Sequence, residues 1–130
     1  METSTTCILV VDDYEPWRRY VSSTLQRDAR LQTIHEASDG LDAVRKAQEL
    51  QPDLILLDIG LPRLNGIEVA RQIRERLPNA KILFVSQDSY LDVEQEALGT
   101  GASGYVVKGA TSSELLNAVN AALQDERPRS

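Results

Sequence analysis

Four of the five short apolar runs of this chain end in polar or charged side chains, which are its candidates for chemistry. These residues are Asp12 with Asp13, then Asp58, Ser86 and Lys108. Carboxylates held close together repel one another, so either a cation neutralises them or their pKa values rise. A hard divalent ion such as Mg²⁺ suits this set, because it takes oxygen ligands and favours one or two carboxylates together with a phosphate.

A lysine and a hydroxyl beside such an ion indicate that an anion enters the same site. Lys108 can meet the outer oxygens of a phosphoryl group, and Ser86 can donate a hydrogen bond to it. Asp58 is the predicted nucleophile, because it lies centrally between the acidic pair and the Ser86 and Lys108 side. Positioning and charge neutralisation supply most of the catalysis of phosphoryl transfer, so an aspartyl phosphate needs no general base.

The stretch Leu54–Glu68 shows how the fold would position these groups. Its apolar run is short and continuous, which is typical of a parallel strand covered on both faces, and it stops at Asp58. Asn65 and Glu68 then have the spacing of a capping box, which predicts that a helix begins here. Open α/β sheets keep their binding sites at such strand-to-helix loops.

Alternating patterns along the chain predict five strands and five helices. The predicted strands are Cys7–Val11, Leu31–Ala37, Leu54–Leu57, Lys81–Val85 and Tyr105–Val107. The predicted helices are Pro16–Leu25, Asp39–Leu50, Asn65–Leu77, Asp88–Gly101 and Thr111–Leu123, the last opening with a second capping box. This alternation predicts a doubly wound α/β fold with a parallel sheet and right-handed crossovers. In the strand order 2-1-3-4-5, the three carboxylates would share one crevice at the topological switch point.

The composition favours a single domain that neither binds nucleic acid directly nor spans a membrane. We expect this domain over residues 1–124 and a polar tail or the start of a linker at 125–130. A net charge of -6 makes direct nucleic-acid binding by the domain a poor hypothesis. The apolar runs are too short for a membrane span, and a polar start with the single Cys7 favours a cytoplasmic protein.

Together these residues resemble the receiver domain of bacterial two-component response regulators. The resemblance covers residues 7–123 and rests on the motif residues Asp12-Asp13, Asp58, Leu61-Pro62, Asn65-Gly66, Ser86, Tyr105 and Lys108. The stretches GIEVARQIRERLP and ALGTGASGYVVKGAT are most similar to the NarL/FixJ (LuxR-type) subfamily, whose receivers are fused to helix-turn-helix DNA-binding domains. The resemblance implies a flavodoxin-like (CheY-like) fold and a role in transcription regulation.

The resemblance also implies a set of ligands for a phosphorelay. Asp58 would accept a phosphoryl group from the phosphohistidine of a sensor histidine kinase or a phosphotransfer protein. Asp13, Asp58 and the main-chain carbonyl of Gly60 would ligate Mg²⁺, and Asp12 would support the ion through water. The protein would be a signalling receiver that assists its own phosphorylation and dephosphorylation, and not an enzyme in the usual sense.

The remaining motif residues would convert phosphorylation into a switch. Lys108 would pair with the phosphoryl group, and Ser86 would bond to it, moving inward so that Tyr105 can change rotamer. The signal would reach a surface around the fifth strand, which would contact a fused or separate effector or a second copy of the chain. Plainer interpretations are that Lys108 only neutralises the acids and that Tyr105 is only a packed aromatic.

Two positions depart from the family pattern and keep other functions open. Gly109 stands where the family usually has a proline with a cis bond, and Gln87 stands where a small residue is common. Slow phosphorylation, slow decay or both are expected, and Asp88 would assist or repel the attacking water. The main alternative is a degenerate receiver that acts through protein contacts without phosphorylation. An aspartyl phosphatase would need a second aspartate where Gly60 stands, and a dinucleotide-binding protein would need a glycine-rich loop after strand one.

Overall fold

Five parallel strands alternate with five helices in the computed structural model, which describes residues 6–28, 30, 33–87 and 91–124. The strands are β1 (Cys7–Val11), β2 (Thr33–Ala37), β3 (Leu54–Asp58), β4 (Ile82–Ser86) and β5 (Gly104–Val107). The helices are α1 (Glu15–Leu25), α2 (Gly40–Leu50), α3 (Gly66–Arg76), α4 (Leu91–Leu98) and α5 (Ser112–Gln124). The sheet order β2-β1-β3-β4-β5 confirms the predicted doubly wound fold.

The register of the strands aligns their carboxyl ends along one edge of the sheet. Val11 of β1 pairs with Leu57 of β3, so that Asp12 and Asp58 follow at neighbouring positions. Asp58 itself pairs with Val85 of β4. The edge that carries the candidate residues is therefore continuous from β1 through β3 to β4 and β5.

The two faces of the sheet are covered by different helices. Alternate side chains of β3 divide between them: Ile55 and Leu57 pack with α2, α3 and α4, whereas Leu54 and Leu56 pack with α1 and α5. Every residue of β3 is buried, as the continuous apolar run predicted. The central strand is thus held rigidly from both sides, and Asp58 extends from its end.

One half of the predicted capping box is present at α3, and the whole predicted box is present at α5. At α3, the Asn65 side chain accepts a hydrogen bond from Glu68 N–H at 3.0 Å. At α5, the box is reciprocal: Thr111 Oγ1 accepts from Glu114 N–H at 3.1 Å, and Glu114 Oε1 accepts from Thr111 N–H at 2.8 Å. These caps fix where each helix begins after its sheet-edge loop.

Several predicted boundaries were wrong by a few residues. Lys81 precedes β4, and its ammonium donates to the Leu123 carbonyl at 2.6 Å, near the end of α5. Gly104 belongs to β5, and Leu77 caps α3. The predicted fourth helix ended at Gly101, but α4 ends at Leu98, because the helix gives way to turns and Gly101 takes a left-handed φ of 89°.

Three predictions fall outside the described residues: the start of strand two at Leu31, the start of helix four together with the role of Asp88, and the tail 125–130. None of the helices within the described part of the chain is long and apolar enough to cross a membrane.

Candidate functional site

Three carboxylates meet at the carboxyl edge of the sheet. One oxygen from each of Asp12, Asp13 and Asp58 lies within 4.8 Å of the others, which is the spacing of a site for one cation. Asp12 and Asp58 are buried, whereas Asp13 is exposed to solvent. The cluster therefore combines two shielded charges with one that an incoming ion can reach directly.

Both carboxylate oxygens of Asp12 already contact the protein. Oδ1 accepts a hydrogen bond from Tyr14 N–H at 2.9 Å, and Oδ2 lies 2.7 Å from the Lys108 ammonium. Arg18 donates to the Asp12 main-chain carbonyl at 2.7 Å and also to Glu36 at 2.8 Å. Asp12 is thus fixed in place by its neighbours, an arrangement that suits support of an ion through water.

Asp58 carries an electrostatically unfavourable charge. Burial raises the pKa of its carboxyl above the ordinary value of 3.8, and the nearby charge of Asp12 raises it further. The N–H of Gly60, which donates to Asp58 Oδ1 at 3.0 Å, and the Lys108 ammonium, 3.7 Å from Oδ2, act in the opposite direction. A cation bound at this carboxylate would relieve the unfavourable charge.

The loop after β3 depends on a close backbone approach at Gly66. The Gly66 N–H donates to the Ile59 carbonyl at 2.9 Å, which closes the loop on itself. A Cβ atom at Gly66 would lie only 2.2 Å from the Asp58 carbonyl oxygen, so only glycine fits. Within the same loop, Arg63 has a φ of 68°. The start of α3 is therefore packed directly against the backbone of Asp58.

Lys108 reaches the acids from the end of β5. The main-chain N–H of Lys108 donates to the Ser86 carbonyl at 2.8 Å. The ammonium of its side chain lies near Asp12 and Asp58 and 5.5 Å from the centroid of the Trp17 ring. Gly109 follows in open space, since a Cβ there would meet nothing within 4 Å. None of the described peptide bonds is cis.

A cleft of about 1080 Å³ opens above the carboxylates. Its polar lining is Asp13, Asp58, Gly60, Ser86, Gln87 and Lys108, and its apolar and aromatic lining is Tyr14, Pro16, Trp17, Tyr20, Ile59 and Val93. The structure thus brings Ser86 together with the acids and Lys108. Tyr105 lies instead against the core on the α2 and α3 side of the sheet, where it is half-buried.

The aromatic wall of the cleft was missed in the sequence. Trp17 lies within the predicted helix Pro16–Leu25 and carried no predicted role at the site, but its ring lines the cleft and packs on Tyr20 with the centroids 5.3 Å apart. The available signal was the position of a tryptophan just after Asp13, within the first turn of the helix that leaves the carboxyl end of β1. A residue at that position lies near any ligand of the acids.

The family model described as "Response regulator receiver domain" matches residues 8–120. The chain belongs to this family. As a receiver domain, it is 33% identical over 121 residues to the response regulator protein VraR of Staphylococcus saprophyticus, covering 92% of this chain and 57% of the relative. It is 37% identical over 112 residues to the transcriptional regulatory protein LnrK of Bacillus subtilis, covering 86% of this chain and 51% of that protein. The receiver spans about half the length of these curated relatives.

Solved structures agree with this assignment. The receiver superposes on the signal receiver domain of NarL from Mycobacterium tuberculosis with a TM-score of 0.89 and 27% identity, covering 95% of this chain and all 100% of that one. A LuxR-family two-component response regulator from Aurantimonas gives a TM-score of 0.88 and 34% identity, covering 92% of this chain and 86% of its own. The expected NarL and LuxR-type kinship and the CheY-like fold are both confirmed.

Proposed function

We propose that this receiver accepts a phosphoryl group on Asp58 from the phosphohistidine of a sensor histidine kinase or a phosphotransfer protein in the cytoplasm. The observation that carries the proposal is the environment of Asp58. Its buried carboxylate lies within 4.8 Å of oxygens from Asp12 and Asp13 and 3.7 Å from the Lys108 ammonium. Two acids for a cation and one lysine for an anion are what a phosphoryl acceptor requires.

In the transfer, an Asp58 carboxylate oxygen attacks phosphorus as the P–N bond to the donor imidazole breaks. The electron pair of that bond returns to the imidazole, and the phosphoryl group stays on Asp58 as an acyl phosphate. The Gly60 N–H holds Oδ1, which restricts the orientation of the carboxylate during attack.

The residues present fit a Mg²⁺ ion. Their donors are all oxygen, the carboxylates are close enough to share one ion, and the buried pair carries a charge that a cation would neutralise. Asp13, Asp58 and the Gly60 main-chain carbonyl would hold the ion, with Asp12 supporting it through water. When bound, Mg²⁺ supplies the positive charge that draws phosphoryl oxygens to the acidic cluster.

The switch in this proposal begins with Lys108 and Ser86. Lys108 leaves its contact with Asp12 to pair with the phosphoryl oxygens, and the Ser86 hydroxyl also donates a hydrogen bond to them. The movement of Ser86 lets Tyr105 change rotamer, which alters the surface around β5. That surface would signal to a LuxR-type DNA-binding effector, fused or separate, or to a second receiver.

Titration with beryllofluoride and Mg²⁺, followed by NMR of the wild type and of Asp58→Asn, tests the acceptor. We expect Mg²⁺-dependent shifts at Asp58, Ser86, Tyr105 and Lys108 in the wild type and their loss in the variant. Intact mass after treatment with a small phosphodonor should show one added phosphoryl group, again only in the wild type.

A wild type that responds to neither ion would contradict the proposal. The domain would then be a degenerate receiver that works by protein contact. Gln87 is the feature that supports a degenerate receiver, because its exposed side chain lines the cleft beside Ser86.

A further inference from the structure

The side chain of Lys108 is held by contacts at its tip. Behind it, the chain continues through Gly109, where an added Cβ would meet nothing within 4 Å. Glycine allows this turn without enforcing it. The main chain is held by the Lys108 N–H on the Ser86 carbonyl and by the Ala110 N–H on the Val107 carbonyl, at 2.8 and 3.0 Å. Beyond this main chain, the groups around the ammonium restrict where the long lysine side chain points.

Three groups surround that ammonium: Asp12 at 2.7 Å, Asp58 at 3.7 Å and the Trp17 ring with its centroid at 5.5 Å. The distance to Trp17 is within the range of about 6 Å over which a cation is attracted to an aromatic face. The Lys108 side chain is only 17% exposed, so water screens this attraction weakly.

The Trp17 ring is itself well anchored. Pro16 lies in the first turn of α1, Tyr20 packs on the ring at an interplanar angle of 36°, and Trp17 is partly buried against the core cluster on the α1 and α5 side of the sheet. These contacts keep the plane of the ring in one orientation relative to the cleft. The ring can therefore hold a cation in one region without tying it to one hydrogen-bond partner.

We propose that Trp17 is a positioning residue of the receiver, whose ring face keeps the Lys108 ammonium at the cleft where the chain has glycine after the lysine. This inference rests on the proposed function, because Lys108 must release Asp12 to reach a phosphoryl group. The uncharged ring holds the ammonium during that movement and does not compete with the phosphoryl oxygens for its protons. Lys108 thereby stays close to the place that the anion would occupy.

The first test reads the contact directly and needs neither metal nor phosphate. In the metal-free protein, the ring current of Trp17 should shift the Lys108 Cε methylene protons upfield, with the Lys108→Met spectrum supplying the assignment. Trp17→Leu should return these protons to ordinary values, and Trp17→Phe should leave part of the shift. Unchanged Lys108 protons in a folded Trp17→Leu protein would overturn the proposal.

The second test measures whether the contact matters for anion binding, through the Mg²⁺-dependent affinity for beryllofluoride in a double-mutant cycle. Trp17→Leu should weaken this affinity about three- to tenfold, the range expected for a partly shielded cation–π contact, and Trp17→Phe should weaken it less. In the Lys108→Met background, Trp17→Leu should cause no further loss. An equal loss in that background would show that Trp17 acts through packing alone and would overturn the inference.

The two tests separate failure of this inference from failure of the proposed function. A wild type that binds no beryllofluoride overturns the acceptor function, and with it any role of Trp17 in anion binding. A wild type that binds beryllofluoride while the cycle shows no coupling overturns the role of Trp17 alone. Urea unfolding of each variant identifies any loss of affinity that comes from unfolding.

Discussion

At the scale of single residues, the buried negative charge of Asp58 destabilises the metal-free protein. Burial and the Asp12 charge raise the pKa of Asp58, and Lys108 compensates only in part because it lies closer to Asp12 than to Asp58. A charge kept for chemistry at the expense of stability is common at functional sites. The same unfavourable charge also favours the binding of a cation at the site.

We therefore expect Asp58→Asn to raise the free energy of unfolding of the metal-free protein at neutral pH by about 1 to 2 kcal/mol. Asparagine keeps an oxygen for the Gly60 N–H and removes the charge. Because the folded pKa lies above the ordinary 3.8, the penalty develops as the pH rises through the folded pKa and is absent below 3.8. Urea unfolding of both proteins at several pH values measures this difference.

Glu75→Gln is the control for Asp58→Asn, since Glu75 is an exposed carboxylate on α3 away from the cluster. Its stability should differ from the wild type by no more than about 0.5 kcal/mol across the same pH range. An Asp58→Asn protein that is no more stable than this control at neutral pH would contradict the account of a strained carboxylate.

The acids could be predicted from the sequence, whereas the contact of Trp17 with Lys108 could not. Asp12, Asp13 and Asp58 each follow an apolar run that only a buried strand explains, so their place at the sheet edge follows from local pattern. The position of Trp17 over Lys108 depends on how α1 is oriented relative to the end of β5, which lies about 90 residues further along the chain. The sequence indicates only that Trp17 lies in the first turn of the helix after Asp13, and this tertiary contact with Lys108 leaves no local signal.

At the scale of elements, the site is held by the joint between β3 and α3. Gly66 entered the sequence analysis only as a motif residue, but its structural requirement is a close approach: the first turn of α3 lies against the Asp58 carbonyl. This contact was invisible in the sequence because it joins residues eight positions apart through an irregular loop. The loop thereby connects the packing of α3 to the orientation of Asp58, the proposed acceptor.

Gly66→Ala should accordingly destabilise the protein by about 1 to 3 kcal/mol and weaken Mg²⁺ binding. The added Cβ would lie 2.2 Å from the Asp58 carbonyl oxygen and 2.8 Å from Ile59 Cα, so the backbone of Asp58 must move. Urea unfolding measures the first effect, and a Mg²⁺ titration followed by Trp17 fluorescence measures the second.

Gly109→Ala provides the matched glycine-to-alanine control for stability, because its Cβ would meet nothing within 4 Å. We expect its free energy of unfolding to stay within about 0.5 kcal/mol of the wild type. If the two alanine variants unfolded at the same urea concentration, the close approach at Gly66 would not be a constraint on the fold.

At the scale of the whole molecule, the parallel sheet with helices on both faces followed from the alternation of strands and helices, because few topologies satisfy right-handed crossovers with short connections. The lengths of elements were less predictable. The end of α4 was placed three residues too late, at Gly101 and not Leu98, because weak helical periodicity there could not show where the helix yields to turns. The global arrangement was thus easier to predict than its local boundaries.

The same molecule carries a net charge of -6, so an added cation can stabilise it either by binding at the carboxylate cluster or by screening its charge. Site binding predicts a saturable gain, which reaches about 1.4 kcal/mol when free Mg²⁺ is about tenfold above its Kd. Urea unfolding over a Mg²⁺ series at constant ionic strength measures this gain in the free energy of unfolding.

Asp13→Asn should abolish the gain with little effect on the metal-free protein, because Asp13 is exposed. Glu75→Gln should retain the gain. Equal gains in all three proteins would indicate screening and would remove the thermodynamic support for a Mg²⁺ site.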